Sequence, residues 1–147
     1  PHGSWNFPGA MGMLYLLPPL LSQLSKGAPY MGNIRQGDVW FVEAAPVPGG
    51  GTVGNEIWSG RPAVIVSNDG INERSNVVQV VYLTSPNKQR RTNTINPTVH
   101  VNSRESIAVC NQVANVDKSR LTNRIGHVEN HELETIQDGI AAALGLN

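Results

Sequence analysis

Residues 55–69 read NEIWSGRPAVIVSND, and a permanent cation, Arg61, stands directly before Pro62 and the apolar run of residues 63–66. A guanidinium presents five donors in a planar fork suited to phosphate oxygens. Five residues earlier is Glu56, a carboxylate able to accept a proton or to orient the arginine. The remaining candidates are Thr84 and Ser85 at the end of an apolar run, the stretch NKQRR with Lys88, Arg90 and Arg91, and the amides Asn111 and Gln112. Taken singly, each has an ordinary structural explanation: a surface ion pair for Arg61, a β-former for Thr84, exposed strand residues for Asn111 and Gln112. As a set they are hydrogen-bond donors, cations and a carboxylate on loops and strand ends, where polar groups can converge over a rigid frame.

Other chemistries find little support. The four histidines (His2, His100, His127, His131) form no recognisable ligand or catalytic set, so the sequence implies neither a metal site nor a cofactor. The glycines Gly49-Gly50-Gly51 are not followed by the Lys-Ser/Thr and helix of a phosphate-cradling loop. A single cysteine, Cys110, excludes an internal disulfide framework, which fits a reducing cytoplasm, and reads as a small buried apolar residue.

The elements that must position these residues belong to a chain of 147 residues, 15.8 kDa and 39% hydrophobic content, enough for one good core. Its 11 Lys and Arg balance 11 Asp and Glu, so no overall field points to nucleic acid or a membrane; NKQRR is a local basic loop, and the chain from Val128 onward is acidic. No apolar run approaches the ~18 residues of a spanning helix. The opening PHGSWNFPGAMG reads as a tag or protease scar. Residues 13–24, MLYLLPPLLSQL, have no basic region before them and carry Pro18-Pro19, so they read as an apolar tail or as sequence upstream of a start at Met31. Residues 1–30 are thus set apart from a domain at 31–147.

From Ile34 onward the pattern predicts short strands: DVWFVEA (38–44), PAVIVSN (62–68), NVVQVVYLTS (76–85), TVHV (98–101) and SIAVCNQVANV (106–116). Between the first two, PVPGGGTVGNEIWSG is a long glycine-rich loop, and Asn68-Asp69-Gly70 signals a turn. Asp117 is expected to cap a short turn, KSRL. A closing helix is expected from His131, capped by Asn130, with Leu133, Ile136, Ile140 and Leu144 in one stripe and Gly145 as its stop. Five or six strands with one packing helix suggest a small, strongly bent antiparallel barrel.

In this order the pieces resemble the MazF/PemK family of toxin endoribonucleases, over about 110 of the 147 residues. The matching segments are IRQGDVWFVEAAPV, NEIWSGRPAVIVSND where the family has a Gly-x-Glu-x-x-Gly-x-Arg-Pro loop, VVYLTS, VCNQV, and DKSRL with the closing helix. The resemblance implies a mainly β, SH3-like barrel with a C-terminal helix, a cytoplasmic homodimer, and metal-independent, sequence-specific cleavage of single-stranded RNA. It also implies a cognate antitoxin whose disordered tail occupies the RNA groove, and DNA binding as the complex with that antitoxin. It gives Arg61 and Thr84 the catalytic roles.

Metal-free RNA cleavage uses the neighbouring 2′-OH as nucleophile, so it needs a proton acceptor, a donor for the leaving 5′-oxygen, and stabilisation of charge developing on phosphorus. Arginine is essentially never deprotonated. Asn111 and Val109 hold the places where some relatives have an acid and an arginine, which leaves Glu56 either to take the 2′-OH proton or to orient Arg61. Base reading and backbone contact fall to Asn55, Trp58, Ser85, Asn111, Gln112, Lys88, Arg90 and Arg91. Trp58 reads equally as a core or dimer-contact aromatic. A gyrase-binding toxin of the same fold, as in the CcdB family, is the main alternative, although the chain ends in LGLN where those proteins end in Trp-Gly-Ile. An SH3-like adaptor for Pro-rich peptides would need more than the 5% aromatic content.

Overall fold

The structure, a computed structural model, describes residues 34–44, 60–87 and 92–146. Expectations that fall on residues 1–33, 45–59 and 88–91, including the tail, the glycine-rich loop and NKQRR, lie outside the described residues. Seven strands and two helices follow in order: β1 (Asp38–Val42), β2 (Arg61–Ile65), α1 (Asp69–Arg74), β3 (Val77–Thr84), β4 (Thr98–Val101), β5 (Arg104–Ala108), β6 (Ala114–Asp117), β7 (Leu121–His127) and α2 (Asn130–Leu144). The strands form a curled antiparallel sheet, a half-barrel, in the order β4-β5-β3-β2-β1-β7, with β6 also paired to β3.

Strand alternation divides the apolar side chains between two faces. One face gathers Ile34, Trp40, Val42, Ala63, Ile65, Val78, Val80, Tyr82, Val116 and Leu121; the other gathers Val39, Val64, Val81, Leu83, Val99, Val101, Ala108 and Cys110 under Ile136 of α2. Because β1, β2 and β3 feed both clusters, they read as nearly continuous apolar runs, and these three strands lie where the sequence predicts them.

The segment predicted as one strand over 106–116 is broken. Leu83 pairs with Ala108 and Val80 with Ala114, so three steps along β3 are matched by six along its partner. The excess is taken up by a 3₁₀ turn at Cys110–Gln112, an enlarged bulge that leaves β5 and β6 on the same edge of β3. Asn111 and Gln112 therefore stand on a turn rather than within a strand, a correction to the sequence reading.

Three further differences have local causes. The turn signal at Asn68 starts helix α1: its side chain accepts from the N–H of Ile71, and buried Asn72 ties the helix to Ser67, whose Oγ donates to Asn72 Oδ1 at 2.6 Å. Strand β7 was not expected, because two register irregularities against β1 leave Thr122 and Ile125 out of step and erase its period of two. Helix α2 begins one residue early: Glu129 is its cap, and the Glu132 carboxylate accepts from the Glu129 N–H, as in a capping box. The same carboxylate accepts from the His100 N–H at 2.7 Å, covering a donor on edge strand β4.

Two sequence expectations are met at the turns. The Asp117 carboxylate accepts from the Ser119 N–H at 2.9 Å and caps a 3₁₀ turn at Lys118–Arg120, and Gly145 ends α2 at a φ of 70°. Leu144 falls outside the stripe, at 63% exposure, whereas Ile136 is fully buried with Leu133 and Ile140 beside it.

Helix α2 approaches the sheet through Gly139, where an added Cβ would overlap the carbonyl oxygen of Ile95 and stand 3.0 Å from Cys110 Sγ. The Gly139→Ala variant is expected to lose about 1–3 kcal/mol to overpacking, less the ~1 kcal/mol that alanine gains in a helix. Urea denaturation reads the balance, and unchanged stability would mean that the helix can lift. Lys118 is 4% exposed, its Nζ has no hydrogen-bond partner among the described residues, and burial lowers its pKa below the ordinary 10.5. At pH 7 the folded state therefore pays for a charge that the unfolded chain keeps solvated, and the penalty fades as pH rises toward 10.5. Lys118→Met is expected to stabilise by about 1–3 kcal/mol at neutral pH, and by less near pH 9.5, in the same assay.

Candidate functional site

Arg61 is the first residue of β2 and Thr84 the last of β3. The antiparallel ladder runs Ile65–Val80, Val64–Val81 and Ala63–Tyr82; carried two residues further, the same register sets Arg61 against Thr84. On its other side Arg61 pairs with Val42, which pairs with Leu121, and Thr84 pairs with Ile107, which pairs with Thr98. One row across the sheet thus reads Leu121, Val42, Arg61, Thr84, Ile107, Thr98, and the arginine and threonine share a face at its centre. Both are half-buried, and Arg61 Nε is fully shielded from solvent. Pro62 and the three buried residues after it hold the start of β2 in extended backbone.

Ser85 follows directly and is half-buried, one step beyond the row. The turn carrying Asn111 and Gln112 is anchored below by Cys110, which is fully buried and whose Sγ lies 3.6 Å from the Ile136 carbonyl, and above by the Val109 N–H donating to the Tyr82 carbonyl at 2.9 Å. Asn111 is exposed and Gln112 half-buried. Burial pushes the Cys110 thiol up to about 12, which leaves it an inert packing residue, as the sequence suggested.

Sequence reasoning did not include the turn at residues 92–97. Asn93 Oδ1 accepts from the N–H groups of Ile95 and Asn96 at 2.9 and 2.8 Å, Thr92 Oγ1 donates to the Asn96 carbonyl at 3.2 Å, and Asn96 Oδ1 accepts from the Asn111 N–H at 3.3 Å. The signal was present in TNTIN, since asparagine side chains close such turns on their own backbone. This turn links the far end of the NKQRR connection to the Asn111 turn, and the Pro97 carbonyl accepts from Ala108 beside the central row.

Asn55, Glu56, Trp58, Lys88, Arg90 and Arg91 lie outside the described residues. Of the described histidines, His100 Nδ1 is 3.3 Å from Glu132 Oε2, while His127 and His131 are exposed. Among the described residues no group of three or more His, Cys, Asp or Glu is placed to hold a metal ion, and no helix is long and apolar enough to cross a membrane. Arg124 pairs with buried Asp38 at 3.1 Å and Arg35 with Asp69 at 3.8 Å. The Gln36 N–H, donating to Asp69, holds that carboxyl below its usual range. These pairs brace β1 and α1 away from the Arg61 row.

The family of PemK-like, MazF-like toxins of type II toxin-antitoxin systems matches residues 35–144. Endoribonuclease EndoA of Bacillus subtilis (strain 168) is 27% identical over 116 residues, spanning 77% of this chain and 96% of EndoA. Among solved structures, MazF of Deinococcus radiodurans superposes with a TM-score of 0.62 at 18% identity, covering 76% of this chain and 96% of that one. An endoribonuclease in complex with its cognate antitoxin, from a mycobacterial species, gives 0.59 at 23% identity, covering 77% and 96%. The structural likenesses are likenesses of fold, and they agree with the curled sheet and C-terminal helix described above.

The Asn111–Gln112 turn depends on Cys110 staying buried. With its pKa pushed up to about 12, the thiol is expected to react with a disulfide reagent at pH 8 at least ~100-fold more slowly in the folded protein than in urea. Fast labelling of the folded protein would show that the turn opens.

Proposed function

The chain belongs to the PemK-like, MazF-like toxins of type II toxin-antitoxin systems, a family of RNA-cleaving enzymes, and on that premise we propose how its own residues cut RNA. The reaction is metal-independent, sequence-specific cleavage of single-stranded RNA. The carrying observation is the shared row: Arg61, paired to Val42 of β1, and Thr84, paired to Ile107 of β5, stand at adjacent strand ends on one face of the sheet. The 2′-oxygen attacks phosphorus as its proton leaves, the P–O5′ bond breaks, and the 5′-oxygen takes a proton. The products carry a 2′,3′-cyclic phosphate and a 5′-OH. Arg61 binds the non-bridging oxygens as negative charge builds on them, and Thr84 adds a hydroxyl donor to the same group.

Glu56 takes the 2′-OH proton or orients Arg61, and the remaining site residues read and hold the strand: Asn55, Trp58 and the cations Lys88, Arg90 and Arg91 from the loops, Ser85, Asn111 and Gln112 from the sheet end. The toxin domain is residues 31–147, acting in the cytoplasm as a homodimer. Its inhibitor is a cognate antitoxin with a disordered tail that competes for the RNA groove. The mycobacterial structure with a cognate antitoxin supports such a partner, and the family match leaves the gyrase-binding alternative without support.

Purified protein incubated with a single-stranded RNA in EDTA is expected to yield discrete fragments ending in 2′,3′-cyclic phosphate. Arg61→Ala should lower kcat by about 10²–10³-fold and Thr84→Ala by less, since a lost donor to a developing oxyanion costs about that much. Glu56→Gln separates its two roles from none: full activity removes Glu56 from the mechanism. Intact RNA with a folded wild type would overturn the ribonuclease reading.

A further inference from the structure

We propose that Phe41 is a positioning residue for Arg61, acting through Gly60. The inference rests on the ribonuclease reading and concerns how its arginine is aimed. In the β1–β2 ladder Phe41 pairs with Pro62 and Val42 with Arg61, so Phe41 belongs to the opposite face from the guanidinium. Its ring leans along β2 to the residue before the arginine. A Cβ placed on Gly60 would stand 3.1 Å from Phe41 Cζ, 3.2 Å from Cε2 and 3.4 Å from the Val42 carbonyl oxygen. The ring thus occupies the space that a side chain at position 60 would need, and the Gly60–Arg61 backbone rests against it.

The backstop is itself held. Phe41 pairs with Asn123 of β7 on its other side, and its carbonyl accepts from Thr122 Oγ1 at 3.4 Å. Two residues on, Glu43 is fixed twice by Arg120, whose Nε donates to the Glu43 carbonyl at 2.9 Å and whose carbonyl accepts from the Glu43 N–H at 2.8 Å. Arg61 is therefore constrained on its sheet side by Pro62 and the ladder, and on its loop side by the ring against Gly60. The Gly-x-Glu-x-x-Gly-x-Arg-Pro pattern puts its second glycine at position 59, where this chain has Ser59, so the contact at Gly60 belongs to this chain. A long side chain magnifies small rotations of its backbone, and misplacing a catalytic group by about 1 Å can cost ~10²-fold in rate.

The test is a mutant cycle on the full chain, reading kcat and KM on a single-stranded RNA in EDTA together with the melting temperature. Gly60→Ala should lower kcat about tenfold or more, with KM within about threefold and the fold retained. Phe41→Leu alone, which withdraws the ring, should also lower kcat. Combining them should recover most of the loss, because leucine lacks the two ring atoms that an alanine at 60 would meet, a coupling that independent sites do not show. In an Arg61→Ala background neither change should cost anything further. Wild-type kcat in either single variant, or no recovery in the folded double variant, overturns the inference. Intact RNA with the wild type overturns the ribonuclease reading and this inference with it.

Discussion

Strand β3 carries the constraint on which the rest depends. Five of its eight residues, Val78 and Val80 to Leu83, are buried and send side chains to both apolar faces, with Gln79 and Thr84 partly buried, so no solvent can satisfy its backbone there. Its N–H and C=O groups must be paired along both edges. Strand β2 takes one edge; the other is longer than any single partner and is shared by β5 and β6. The junction between these partners is the Cys110–Gln112 turn, and the end of the strand beyond it is Thr84. Two parts of the candidate site are therefore by-products of hydrogen bonding one buried strand.

The same constraint says how much could be read in advance. Strands β1 to β3 were legible because burial on both faces writes itself as unbroken apolar sequence, and β4 because Val99 and Val101 alternate with Thr98 and His100. The break at Cys110–Gln112 was not legible: Val109, Cys110 and Val113 continue the apolar run, and only the register against β3 reveals that three residues are in excess. Strand β7 was hidden for the opposite reason, since its two irregularities scatter the apolar residues of a real strand. Of the site, Arg61 and Thr84 could be named from the order of motifs, and Asn111 and Gln112 could be named but not placed. The packing of Phe41 on Gly60 joins residues nineteen apart in sequence and leaves no local trace.

An arginine at the head of β2 is not explained by stability. A surface ion pair contributes about 0–1 kcal/mol, and shielding part of a guanidinium from water works against folding. Arg61 has a half-buried side chain with its Nε enclosed, on the apolar face that Val42 and Ala63 continue. An apolar residue there would extend the core at lower cost. On the proposed function, the position trades stability for a cation held in place before any substrate arrives, which is the condition under which electrostatic stabilisation of a transition state is most effective.

That arrangement divides the proposed chemistry between two kinds of support. Charge stabilisation rests on strand ends, where ladders, a proline and an aromatic ring fix the backbone. Proton acceptance and base reading fall mainly to residues carried by the connections that flank those ends. On this division, substitutions that disturb the sheet end should act on kcat for every RNA alike, because the phosphate is common to all of them. Substitutions in the connections should alter which RNA is cut, because the connections carry most of the groups proposed to meet the bases. Asn111 and Gln112 stand between these classes: their turn is anchored in the core through Cys110, yet Asn111 is tied to the exposed turn at Asn96. Backbone anchored in this way leaves less entropy to lose if its side chains take the base-reading role proposed for them, so specificity set there should be the hardest to change by altering the loops alone.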